Sequence, residues 1–193
     1  MSYMINETIK GIELIFKTEE GVFSPRRIDK GTLAMLSLVD FQDGDKVLDL
    51  GCGYGVVGIL AAKILGPHNV VMTDKDRLAI HLSKENAKLN DVGDITIYES
   101  DGFKNVDEKD FTLILSNPPY HTDFSVAKEF IEKGFNRLCI GGRMYMVLKR
   151  DLWYRNKFKS IFGGAQVWKI DDYFVFMSIK KDSTYAKVKK SKN

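Results

Sequence analysis

The chain has 193 residues, 44% of them hydrophobic and 28% charged, with a formal net charge of +3. That length suits a single domain, 1–193, with its own core, and no apolar run approaches the ~20 residues that span a membrane. The first residues carry no signal-peptide pattern, and two cysteines, Cys52 and Cys139, imply no disulfide framework, so a cytoplasmic protein in a reducing compartment is expected, by default a monomer.

Residues 1 to 22 read as short strands, because Ile12, Leu14 and Phe16 alternate with polar neighbours. Together with the turn at Gly21-Val22-Phe23-Ser24-Pro25, they form an N-terminal segment, 1–30, of strands and a lid. Thr32 to Val39 has helical spacing, with Asp29 placed to cap its start. Val47, Leu48 and Leu50 suit a buried strand; Gly51, Gly53 and Gly55 then make a loop, and Val56 to Leu65 is an almost wholly apolar helix. Val70 to Met72 is a second strand of this kind, Arg77 to Asn90 an amphipathic helix, Ile95 to Tyr98 a third strand and Phe111 to Leu115 a fourth. Ser125 to Leu138 is the most regular helix in the chain, ended by Gly141-Gly142. Arg143 to Leu148 is a fifth strand and Asp151 to Phe162 a helix; Ala165 to Ile170, the turn Asp171-Asp172 and Tyr173 to Ile179 form a hairpin. Strand–helix alternation predicts an α/β, doubly wound and mostly parallel sheet, to which the hairpin adds an antiparallel strand. Residues 183–193, with four lysines after residue 186, read as a flexible basic tail.

Four features fall at the carboxyl ends of successive strands: the glycine loop, Asp74, Asp101 and Asn117-Pro118-Pro119-Tyr120. Ligands of open α/β sheets sit at such ends, where glycines admit close approach and a helix start offers free N–H groups. Gly53, Gly55 and Gly58 also satisfy Gly-x-Gly-x-x-Gly, so a nicotinamide dinucleotide is one candidate. Asp49 argues otherwise. A carboxylate two residues before the loop sits poorly beside a pyrophosphate and well beside an ammonium or sulfonium group, such as S-adenosylmethionine carries.

With these motifs the sequence resembles the class I S-adenosylmethionine-dependent methyltransferases over essentially its whole length, which implies a Rossmann-like, seven-stranded sheet. Asp-Leu-Gly-Cys-Gly-Tyr-Gly resembles their first motif, implying that Asp49 and the loop at Gly51, Cys52, Gly53 and Gly55 hold the methionine portion. Asp74, with Lys75, matches the ribose-binding acid, and Asp101, with Gly102, the acid that reads the adenine amino group. Asn117 to Tyr120 match the motif of the branch that methylates amide or aromatic amino nitrogens, with Asn117 also at the cofactor. Gly-Val-Phe-Ser at 21–24 and Asp29-x-Gly31-Thr32 are similar to single-domain relatives of the ribosomal small-subunit guanine-N2 methyltransferases. The chain departs from many of these at Tyr120-His121-Thr122-Asp123, where an aromatic and a histidine match the larger two-domain enzymes.

An exocyclic base amine is a poor nucleophile because its lone pair is delocalised, and the nitrogen must rehybridise towards tetrahedral as it attacks. Two acceptors aimed at its hydrogens favour that geometry in the transition state; the Asn117 side-chain oxygen and the Pro118 carbonyl are candidates. The double proline stiffens the turn, Tyr120 can stack on a flipped base, and positioning suffices without a dedicated general base. The expected acceptor is guanine N2 of small-subunit ribosomal RNA, with adenine N6 or a protein glutamine amide as alternatives, and a binding module without catalysis as a further one. Lys149, Arg150, Arg155, Lys157 and Lys159 cluster around Trp153 and Tyr154, which suits either phosphate contact with base stacking or a solvated helix face. Lys149 and Arg150 are therefore substrate-binding candidates, as are Phe23, which either packs or covers the base, and His121, as proton acceptor or contact. Cys52 is either a small loop residue or a reactive thiol. Three scattered histidines have no metal spacing, so no metal is expected.

Overall fold

The computed structural model describes residues 1–119 and 124–186. Strands Ser2–Ile9 (β1) and Ile12–Glu19 (β2) pair antiparallel around a left-handed two-residue turn, with Lys10 at φ 52° and Gly11 at φ 76°. The free edge of β2 is not left open. Asn86 accepts from Lys17 N at 2.7 Å and donates to Lys17 O at 2.9 Å, while Asn90 accepts from Ile15 N at 3.1 Å and donates to Ile15 O at 2.7 Å. Four helix residues advance ~6 Å and two strand residues ~6.6 Å, so two side-chain amides on one helix face match the strand repeat.

Helix α1, Lys30–Leu38, is capped by Asp29, whose Oδ2 accepts from Thr32 N at 3.0 Å. It starts two residues before the expected Thr32, because the cap and not the first apolar residue sets the helix start. Next come β3 (Val47–Leu50), α2 (Val56–Leu65), β4 (Val70–Asp74), α3 (Arg77–Leu89), β5 (Thr96–Glu99) and β6 (Phe111–Ser116). They are followed by α4 (Phe124–Arg137), β7 (Leu138–Leu148), α5 (Leu152–Phe162), β8 (Gln166–Ile170) and β9 (Tyr173–Ile179). The seven-stranded sheet runs β5-β4-β3-β6-β7-β9-β8, parallel except that β9 is antiparallel to both its neighbours.

Period-2 alternation divides the core in two. Val47, Leu113, Leu115, Tyr145 and Val147 face α1, α2 and α3, meeting Met35, Leu36, Ile59, Leu60 and Leu82. Leu48, Leu50, Ile114, Met144 and Met146 face α4 and α5, meeting Phe130, Ile131, Phe135 and Phe158. Every β3 residue is buried, as a strand covered on both faces requires.

Gly141-Gly142 does not end a segment as expected. It lies inside β7, where the register against β6 jumps between Phe111 and Leu113. Gly141 takes φ 86°, and a Cβ on Gly142 would lie 3.0 Å from Phe111 O, so the pair makes a bulge that only glycine fits. Tyr185 and Ala186, within the stretch expected as a flexible tail, make packed contacts. The Tyr185 ring packs edge-on at 5.1 Å from Phe135, and Ala186 N donates to Ile161 O at 3.0 Å; residues 187–193 lie outside the described residues. Among the described residues no helix is long and apolar enough to cross a membrane.

Candidate active site

β3 feeds β4 and β5 on one side, whereas β6 and β7 lie on its other side. The carboxyl ends of β3 and β6 therefore flank the crevice where the strand order reverses, the usual ligand position in such sheets. Gly51, Gly53 and Gly55 all have positive φ in the loop between β3 and α2. The loop is pinned from below: Gly51 N and Cys52 N both donate to Thr73 O at 2.9 Å, and Gly53 N donates to Asp74 Oδ2 at 2.8 Å. A Cβ on Gly51 or Gly53 would meet nothing within 4 Å, so the loop surface is open to a ligand. Gly55 is different. A Cβ there would come within 2.8 Å of Ile59 Cδ1 and 3.1 Å of Met72 Cε, and Gly55 does not line the cleft. The space a Cβ would need there is taken by the packing of α2 on β4.

The cleft is lined by Asp49 of β3, by Gly51, Cys52 and Gly53 of the loop, and by Asp74 at the end of β4 with Lys75 after it. Asp101 and Gly102 line it after β5, Asn117, Pro118 and Pro119 after β6, and Phe23 from the N-terminal segment. Asp49 is 2% exposed, and its Oδ2 accepts from Gly58 N at 2.8 Å. Burial pushes its carboxyl pKa up to about 7; the Gly58 N–H opposes this and Asp74 adds to it. The Asp74 carboxylate accepts from Gly53 N through Oδ2 and from Asp76 N through Oδ1, so it shapes the loop as well as facing the cleft. Asp101 pairs with Lys104 at 2.6 Å, which holds its carboxyl below the usual range. Burial, with Asp49 and Asp74 nearby, drives the Cys52 thiol pKa well up, so it stays protonated and the reactive-thiol alternative loses its basis.

Asn117 directly follows β6, and Ser116 Oγ donates to Leu50 O at 2.8 Å, tying the two strand ends together. The Asn117 Nδ2 donates to Asp29 Oδ2 at 3.0 Å and Thr32 Oγ1 at 2.9 Å. A carboxylate accepts only, so this pairing fixes which end of the amide is nitrogen. Asn117 Oδ1 then has no partner: with Thr73 Oγ1 it is one of two such buried side-chain atoms among the described residues. The contacts of Asp29 and Thr32 with Asn117 were not expected from the sequence, in which Asp29 reads as a helix cap and Asp29-x-Gly31-Thr32 as a family-like motif with no assigned role.

Phe23 is 51% exposed at the cleft edge, as a cover would be. Lys149 and Arg150 do not line the cleft among the described residues. Lys149 Nζ lies 5.2 Å from the centre of the Tyr173 ring, and Arg150 lies over Phe124, itself stacked on Trp153 at 4.4 Å. Tyr120 and His121 lie outside the described residues. Among those described, no group of three His, Cys, Asp or Glu side chains is arranged to hold a metal ion.

Comparisons with known proteins accord with this geometry. The family model of the methyltransferase small domain matches residues 13–178. The ribosomal RNA small subunit methyltransferase C of Haemophilus influenzae is 34% identical over 164 residues, covering 83% of this chain and 49% of that protein. Bacillus subtilis YbxB is 31% identical over 144 residues, 74% of this chain and 72% of that one. Among solved structures, the 16S rRNA N2 methyltransferase RsmC of T. thermophilus, in complex with AdoMet and guanosine, has a TM-score of 0.84 at 26% identity. The match covers 94% of this chain and 51% of that one, so the chain spans about half the length of both named rRNA methyltransferases. Its fold and the family match agree: the chain belongs to the methyltransferase small domain family.

Proposed function

We propose that the protein methylates an exocyclic amino nitrogen of a base in small-subunit ribosomal RNA, guanine N2 in the first instance, using S-adenosylmethionine. The observation that carries this reading is Asn117: a buried amide oxygen without a partner, at the edge of a cleft, with its nitrogen held from behind. An unpaired buried acceptor costs free energy unless a ligand satisfies it, and an amine hydrogen is the donor it suits.

The residues fit the cofactor on two grounds. Open space lies over Gly51 and Gly53, and Asp49 is a buried carboxylate that accepts from Gly58 N, an arrangement that favours a cation beside it. Asp49 and the loop would hold the methionine portion, Asp74 and Lys75 the ribose, and Asp101 and Gly102 the adenine side. When bound, S-adenosylmethionine supplies a methyl group on a positively charged sulfur. Asn117 Oδ1 and the Pro118 carbonyl accept the amine hydrogens and draw the nitrogen towards tetrahedral geometry as its lone pair forms the new N–C bond. One N–H proton of the amine would then pass to solvent, balancing the loss of the sulfonium charge. Pro118 is buried and Pro119 exposed, so the turn is anchored on one side and presented to substrate on the other. Both halves of the site lie within the stretch matched by the family model, and the chain is proposed to act as one methyltransferase domain.

The cations Lys149 and Arg150, each over an aromatic ring, and the exposed Phe23 at the cleft favour RNA over a glutamine side chain, because a phosphate backbone meets cations and a base meets an aromatic edge. The test is incubation with labelled cofactor and undermethylated small subunits or bare rRNA, followed by nucleoside mass spectrometry. Labelled N2-methylguanosine is the expected product. Label in a release-factor glutamine and none in RNA would overturn the reading.

A further inference from the structure

The Asn117 amide is locked from one end only. Nδ2 uses both its hydrogens, on Asp29 Oδ2 and Thr32 Oγ1, and both partners belong to the first turn of α1, 88 and 85 residues earlier in the chain. Asp29 Oδ2 also accepts from Thr32 N at 3.0 Å, and Tyr173 Oη approaches Asp29 Oδ1 at 3.5 Å. A strand end, a helix cap and a residue of β9 thus converge on one side chain.

Capping alone does not account for this geometry. A cap needs the Asp29 oxygen on Thr32 N and nothing from β6. The extra contacts settle which amide atom is engaged by α1 and leave Oδ1 as the one without a partner. They also bear on charge: donation to a carboxylate polarises the amide and makes Oδ1 a stronger acceptor towards a nitrogen that becomes cationic.

We propose that Asp29 and Thr32 are positioning residues for methyl transfer, holding the Asn117 amide so that Oδ1 is presented to the acceptor amine and strengthened as its acceptor. This inference rests on the role given to Asn117 above. Asp29→Ser keeps a good helix cap but is too short to keep the amide contact, and Thr32→Val removes the second acceptor at constant volume. Each is expected to lower kcat roughly tenfold or more, with KM for RNA and Kd for S-adenosylhomocysteine within about twofold of the parent. Asp29→Asn, which keeps cap and acceptor but not the charge, is expected to regain a large part of the loss. A merely structural role would move stability and KM together and would show no such rescue.

A second readout does not depend on the acceptor. In 15N-labelled protein with S-adenosylhomocysteine bound, the Asn117 side-chain NH2 signals, assigned by their loss in Asn117→Ala, are expected to exchange slowly and to lose protection in Asp29→Ser and Thr32→Val. An active wild type with unchanged kcat in both variants overturns the positioning role. Wild type inactive on RNA overturns the function reading instead, and the NH2 signals then decide the positioning role alone: equal protection in all variants overturns it.

Discussion

Asn117 and Asp49 are buried polar groups with opposite requirements. Asn117 Oδ1 lacks a donor, and Asn117→Ala is expected to lower kcat about 10²-fold or more, as loss of one transition-state hydrogen bond does. S-adenosylhomocysteine affinity should barely move in that variant; equal turnover would remove Asn117 from the reaction. Asp49 is a buried acid whose charged form burial disfavours. Its folded pKa of about 7 lies above the ordinary 3.8, so the folded apo-protein keeps a proton that the unfolded chain releases. Stability from this group is therefore greatest below about pH 4 and declines as pH rises towards 7. Asp49→Asn keeps an acceptor for Gly58 N and removes the buried charge, so it should raise the apo-protein Tm at pH 8 by about 5 °C or more. The same ionisation couples to ligand binding. An ammonium group beside Asp49 favours the carboxylate, so S-adenosylhomocysteine affinity should fall about fivefold from pH 7 to pH 6. Calorimetry at pH 6 in two buffers of different ionisation enthalpy should show proton release on binding; a pH-independent affinity, or no release, would detach Asp49 from the cofactor.

Element by element, what reads from sequence is what depends on local pattern. Arg77–Leu89 and Phe124–Arg137 follow the apolar spacing to within a residue or two, and the strands follow their apolar runs. The glycine loop, the acids beyond β4 and β5 and Asn-Pro-Pro are also local, and the structure brings them to one cleft. What does not read is carried by partners distant in sequence. Gly141-Gly142 has the composition of a stop signal, yet it makes a bulge because Lys180 exchanges hydrogen bonds with it, accepting from Gly141 N at 2.7 Å and donating to Gly142 O at 2.9 Å. Gly55 looks like a ligand glycine, yet the space a Cβ would need there is taken, since Ile59 and Met72 become its neighbours only after α2 folds on β4. Asn86 and Asn90 look like ordinary polar helix residues, yet both are buried and hold the edge of β2. Asn86→Ala would leave Lys17 N and O without these partners, and Tyr54 O too, which accepts from Asn86 Nδ2 at 2.8 Å. The expected loss is about 2–3 kcal/mol in urea unfolding, with the Lys17 amide losing its exchange protection. A change below about 0.5 kcal/mol would mean that the hairpin holds without the clamp.

Across the whole molecule, cofactor and acceptor sites are separate pieces brought together by strand order. The glycine loop follows β3 and Asn117 follows β6, neighbours in the sheet though far apart in sequence. In the proposed function the glycine loop and the acids hold the cofactor, and the amide held by α1 meets the acceptor. That division makes the two affinities separable. Lys149 and Arg150 lie outside the cleft lining, so their contribution should be to RNA phosphates and not to cofactor. Lys149→Ala with Arg150→Ala should leave S-adenosylhomocysteine binding within about twofold, since neither side chain lines that cleft. Binding of a single-stranded rRNA fragment should weaken, and the slope of log K against log salt should become shallower by about 1.4, two phosphate contacts at ~0.7 each. Measured across a salt series with the same fragment, an unchanged slope would show that the RNA backbone runs elsewhere. A shallower slope with turnover per bound RNA intact would place these two cations in docking and leave the chemistry to Asn117.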